Sequence, residues 1–109
     1  MNLLKGGLFM EVTISRHATK RIKSRMGIPK KATLRQFSRA LDRGIKQSDA
    51  KGNLRKYLAS IALKEERPHS VVVYNSYVFI YGYSEGIPML ITVIPLPSNL
   101  QREVKYYKN

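Results

Sequence analysis

The chain has no cysteine and only seven Asp and Glu among its 109 residues. The first absence excludes a disulfide framework and any thiolate metal site, in agreement with a reducing compartment. The second bears on catalysis, because a two-metal nuclease holds its ions with several carboxylates. Here the acids are scattered, as Glu11, Asp42, Asp49, Glu65, Glu66, Glu85 and Glu103, and only Glu65 and Glu66 adjoin. No D-x-D or H-x-x-E spacing occurs, so neither metal-dependent phosphodiester chemistry nor a cofactor is expected. Long apolar runs are missing as well, and none suffices to cross a bilayer. Met1 to Met10 lacks a signal-peptide core and cleavage site. A cytoplasmic protein is the expectation. No internal repeat is present, and the length fits one domain over residues 1–109.

Against the seven acids stand twenty Lys and Arg, for a formal charge of +13. Such self-repulsion does nothing for a fold and points to partners. The fitting partner is a dense polyanion, RNA or DNA. A membrane surface fits poorly, because the apolar helix faces are needed for the core. The cations spread over Arg16 to Lys31, Arg35 to Lys46, Lys51 to Lys56 and Arg102 to Lys108.

The first half reads helical and the second half as strands. The expected fold class is α+β, with two or three N-terminal helices packed on one face of a C-terminal antiparallel sheet of three to four strands. Ser15 as N-cap and Gly27 as C′ residue bound a helix over Arg16 to Met26. Its apolar stripe is Ile14, Ala18, Ile22 and Met26. A second helix covers Leu34 to Arg43, or starts earlier at Pro29, with Thr33 and Gln36 at capping-box spacing. Lys46 to Gly52 reads as a loop. A third helix runs from Leu54 and stops before Pro68. Strands are expected at Ser70 to Tyr74, Tyr77 to Tyr83 and Met89 to Ile94. The tail fits either an edge strand at Val104 to Tyr107 or a short helix at Asn99 to Lys105.

A two-residue turn at Asn75–Ser76 puts Tyr74 opposite Tyr77 and Val72 opposite Phe79. One hairpin face is then Val71, Val73, Val78 and Ile80, which should pack on the helices. The other carries Val72, Tyr74, Tyr77, Phe79, Tyr81 and Tyr83. Tyrosines beside abundant cations can stack bases while Lys and Arg hold phosphates. The same face also fits a subunit contact, or good strand formers with wet hydroxyls. The next strand has two registers: a five-residue loop puts Met89, Ile91 and Val93 on the tyrosine face, a four-residue loop Leu90, Thr92 and Ile94. Thr92 reads as a core threonine bonded to backbone or as a hydroxyl aimed at phosphate.

His17, Arg21 and Arg25 stand four apart and stack along the first helix. Arg25 projects between Ile14 and Ala18, within the apolar sector. Imidazole trades protons near neutral pH, and guanidinium groups brace phosphoryl oxygens. The same stripe also fits an ordinary basic helix flank. Arg16, Lys20 and Lys23 add nucleic-acid contacts. His69, after Pro68, reads as a solvated loop residue.

The segment Ile14-Ser15-Arg16-His17-Ala18, with Arg21, Arg25 and Gly27, resembles small bacterial and phage-encoded proteins related to RelE-like toxins. Leu90-Ile91-Thr92-Val93 on a late strand fits the same pattern. The resemblance implies the barnase/colicin/RelE ribonuclease fold group, whose members cut RNA without metal. It implies His17 as a proton-transfer residue, Arg21 and Arg25 as phosphate contacts and Thr92 as a sheet-borne site residue. The leading functional expectation is a metal-independent endoribonuclease, with Tyr77 or Tyr81 stacking a base or donating a hydrogen bond. The others are a non-catalytic nucleic-acid-binding regulator and a module that binds an acidic protein such as an antitoxin.

Overall fold

A strand buried on both sides reads as an unbroken apolar run and needs a covering layer on each face. Val71, Val72 and Val73 form such a run, at 2%, 0% and 1% exposure. The computed structural model describes residues 11–64 and 69–107. Met1 to Met10, the Glu65–Glu66 pair, the stop before Pro68 and Lys108 lie outside them. The elements follow in the order β1 (Thr13–Ile14), α1 (Arg16–Met26), α2 (Lys30–Arg43), β2 (Ile45–Lys46), α3 (Gly52–Lys64), β3 (Ser70–Tyr74), β4 (Tyr77–Ser84), β5 (Ile87–Pro95) and α4 (Ser98–Val104). A single 3-10 turn, Gln47–Asp49, joins β2 to α3.

The strands form one five-stranded sheet in the order β1-β5-β4-β3-β2. β1 runs parallel to β5, and every other pairing is antiparallel. The class is α+β, but two finer expectations are corrected. The sheet is mixed and has five strands, because two-residue segments at Thr13–Ile14 and Ile45–Lys46 join its margins. The helices lie on both faces, and α4 follows the sheet. Val71, Val73, Val78 and Ile80 pack with Leu54 and Leu58 of α3, Leu96, and Leu100 of α4. Val72, Phe79, Tyr81, Leu90 and Val93 pack with Ala18 and Ile22 of α1 and Phe37, Ala40 and Leu41 of α2. Phe37 is wholly buried, and burying such a side chain stabilises by about 1.5–3 kcal/mol. Its ring lies 5.4 Å edge-on from Tyr81 and 6.3 Å from Phe79, centroid to centroid.

Local chemistry sets the ends of α1. The Ala18 N–H donates to Ser15 Oγ at 3.0 Å. Gly27 closes the helix at φ 68°, its N–H donating to the Lys23 carbonyl. The Ser15 N–H donates to the Leu90 carbonyl at 3.3 Å, which moors the start of the helix to β5. α2 takes the earlier of its two starts. Pro29 is extended at φ −72° and the helix begins at the next residue. Thr33 therefore caps nothing, and its hydroxyl donates to the Pro29 carbonyl within the first turn.

The β3–β4 hairpin has the expected register, with Tyr74 opposite Tyr77 and Val72 opposite Phe79. Asn75 and Ser76 turn at φ 51° and 66°. The β4–β5 turn is shorter than either expected loop and consists of Glu85 and Gly86, both at positive φ. Phe79 then faces Val93 and Ile80 faces Thr92, but Tyr81 faces Leu90. Ile91 is the extra residue of a β-bulge, which resets the alternation midway along the strand. Neither expected register holds: Leu90 and Val93 share the tyrosine face, and Thr92 lies on the other.

Candidate nucleic-acid interface

α1 and α2 together form one covering layer, and their outward sides are crowded with cations. Their segments contain ten Lys and Arg against one acid, Asp42. Arg16, Lys20, Lys23 and Arg25 on α1 are exposed, as are Lys30, Lys31, Arg35, Arg39 and Arg43 on α2; Arg21 is half-buried. Among the described residues the one ion pair is Arg43 Nε to Asp42 at 3.6 Å, with both side chains largely in solvent. Exposed pairs of that kind contribute little, so nine of the ten cations remain available to an anionic ligand. Lys31, Arg35, Arg39 and Arg43 stand four apart and make a stripe along α2. Sequence reasoning missed them as site residues, although their spacing repeats that of His17, Arg21 and Arg25.

On α1, Arg21 Nη1 donates to His17 Nε2 at 3.3 Å. Guanidinium offers no acceptor, so in this arrangement His17 accepts on Nε2 and carries its proton on Nδ1. His17 is exposed. Arg25 leaves the apolar sector where its helical projection put it and is exposed in the last turn of α1. There, with Lys23, it meets the negative end of the helix dipole.

The tyrosines are placed differently from the open stacking face the sequence suggested. That face is the one α1 and α2 cover. Tyr81 is 5% exposed, beneath Phe37 and edge-on to Tyr83. Burial, and then the neighbouring Tyr83, push the Tyr81 phenol above its ordinary value. Its ring has no free face for a base. Tyr74 and Tyr77 are half-buried against the same cluster. Among the described residues no hydrogen bond joins His17, Arg21 or Arg25 to any of these three rings.

Thr92 does not join His17. It pairs with Ile80 and is half-buried on the α3–α4 side, so the sheet lies between the two. The bulge at Ile91 causes this, since without it the alternation on either side would be continuous. His69 precedes β3 and packs over Gly82, where an added Cβ would stand 3.6 Å from its Nδ1. Gly82 lies on the Ile80 face, so the second histidine is also remote from the first.

The α1–α2 layer is not fully packed. A recess of about 250 Å³ lies between the end of α1 and the start of α2, with Tyr77, Phe79 and Val93 beneath it. Gln36 and Asn75 stand at its polar margin, and Asn75 Nδ2 donates to Gln36 Oε1 at 3.3 Å. Among the described residues no group of three His, Cys, Asp or Glu could hold a metal ion, and no helix is long and apolar enough to cross a membrane. No family model, curated protein or solved structure matches this chain.

Proposed function

We propose that this protein binds RNA through the outward surface of the α1–α2 layer. The observation that carries the reading is the concentration of ten cations and one acid on that layer, nine of the cations without an ion-pair partner among the described residues. Two stripes at four-residue spacing, one on each helix, suit the repeated phosphates of a backbone. Arg16, Lys20 and Lys23 extend the α1 side. The partner is held by counterion release, so affinity falls steeply with salt. Titration of a labelled RNA at increasing salt tests this. A linear loss of log affinity against log salt is expected, and no affinity at low salt would sink the reading. DNA and an acidic protein such as an antitoxin present similar charge, and competition against the bound RNA ranks the three. A cytoplasmic site of action goes with this reading.

Cleavage of the bound RNA is a second reading, favoured by one observation, the Arg21–His17 contact on an exposed flank. A ribose 2′-hydroxyl would pass its proton to His17 Nε2 as Arg21 withdraws to the phosphate. The freed oxygen would attack the adjacent phosphorus, the 5′-oxygen would leave with the proton that His17 gives back, and a 2′,3′-cyclic phosphate would remain. Arg21 and Arg25 would brace the phosphoryl oxygens. The likeness to RelE-like toxins in Ile14 to Gly27 belongs to this reading. Thr92 and Tyr81 have no part in it, because the first lies behind the sheet and the second beneath α2. Digestion of RNA, including ribosome-bound message, in EDTA is the test. Intact RNA, or equal cutting by His17→Ala, removes catalysis and leaves binding untouched.

A further inference from the structure

We infer that the recess between α1 and α2 takes one unstacked base of a single-stranded RNA, an inference that rests on the RNA-binding reading. The chemistry of the recess is graded in the way a nucleotide is. Its interior is apolar, walled by Ile22 and Met26 and floored by Phe79 and Val93. Tyr77 contributes a half-buried aromatic ring to the same wall. Base–aromatic contact is the usual means by which proteins hold unpaired bases. At about 250 Å³ the space falls short of the about 300–1,000 Å³ of sites for drug-sized ligands. It suits a single planar ring system with its sugar and phosphate left outside.

The margin supplies the polar edge. Asn75 Nδ2 donates to Gln36 Oε1 at 3.3 Å, which joins the two amides at the margin. That leaves the Gln36 Nε2 donor and the Asn75 Oδ1 acceptor at the same margin, with no other hydrogen bond to them among the described residues. A neighbouring donor and acceptor match the hydrogen-bonding edge of an unpaired base. The segments that line the recess also carry charge. Arg25 precedes Met26, and Lys30 and Lys31 precede Ala32, the last another lining residue; all three cations are exposed. A purely apolar ligand would have no use for that rim, whereas a phosphate linked to the inserted base would.

The test uses the full chain and three RNAs of equal length: a single strand, the same strand with abasic sites, and a duplex. The single strand is expected to bind about tenfold more tightly than the abasic strand or the duplex. Gln36→Leu, which removes the donor, and Ala32→Leu, which fills the space, should lower single-strand affinity to the abasic level. Affinity for inorganic polyphosphate should stay unchanged in both. Equal binding of intact, abasic and duplex RNA by the unaltered protein overturns the inference without touching the RNA-binding reading, and needs no variant to fold. Full retention of single-strand affinity in Gln36→Leu overturns it too. Displacement of the strand by an equimolar free mononucleotide would assign the recess to a nucleotide and overturn the assignment to RNA. Loss of all affinity, polyphosphate included, sinks the RNA-binding reading itself.

Discussion

Two helical layers cover the same sheet and are built to different ends. α3 and α4 hold four Lys and Arg and one acid. They place the fully buried Leu54 and Leu58, with Leu100, over Val71, Val73, Val78 and Ile80. α1 and α2 carry more than twice the cations. They cover the sheet with Ala18 and Ile22 from α1 and with Phe37, Ala40 and Leu41 from α2. Each layer borders a recess: the one beside Tyr77 under α1 and α2 is lined mainly by apolar residues, whereas the one between the start of α3 and the end of α4 is lined by Asp49, Lys51, Glu103, Tyr106 and Tyr107. Charge and an apolar recess coincide on one side of the molecule. A surface that receives a polyanion needs both, and a layer that only seals a core needs neither.

The comparison can be broken most severely at Phe37. Phe37→Ala should cost about 3–5 kcal/mol and Leu58→Ala about 2–5 kcal/mol, read by urea denaturation. Unchanged stability in the first would deny that α2 seals the tyrosine face. Charge reversal separates the layers next. Arg35→Glu with Arg39→Glu should weaken RNA binding at low salt about tenfold per residue and reduce the salt slope by about two. Arg55→Glu with Lys56→Glu on α3 should change far less, and equal losses would erase the distinction. Ser15→Ala removes the cap of α1 and should cost about 0.5–2 kcal/mol in a thermal melt. The smallest effect is at alkaline pH. The folded Tyr81 phenol lies above its ordinary value of 10.0, so the unfolded chain loses that proton first. The associated stability is complete below pH 10 and declines as the pH rises from there through the folded value. Tyr81→Phe should flatten that alkaline decline in a denaturation series.

What could be read from the sequence is what neighbours along the chain decide. Ser15 and Gly27 bound α1 as expected because caps act within a turn. Asn75 tolerates positive φ, so the first hairpin kept its register. The features that escaped depend on distant partners. The parallel pairing of Thr13–Ile14 with Met89–Leu90 joins segments far apart in the chain. The bulge at Ile91 appears only when β5 is laid against β4, and it decides on which side Thr92 falls. The site followed the same rule. The α1 stripe was legible from four-residue spacing, and the α2 stripe carried the same signal. The burial of Tyr81 was not legible, because it required knowing that the two helical layers divide between opposite faces.

The sheet margins carry a consequence for self-association. Both outermost strands, β1 and β2, are two residues long. Beyond Leu90 the outer side of β5 meets the unpaired Ile91 and then Pro95, which has no amide hydrogen to offer. A second copy would find no regular ladder to extend on these borders, which is how sheet proteins resist edge-to-edge aggregation. Like-charged copies also repel one another at +13 each, so a bound polyanion, by neutralising that charge, is what would let molecules crowd together along one strand.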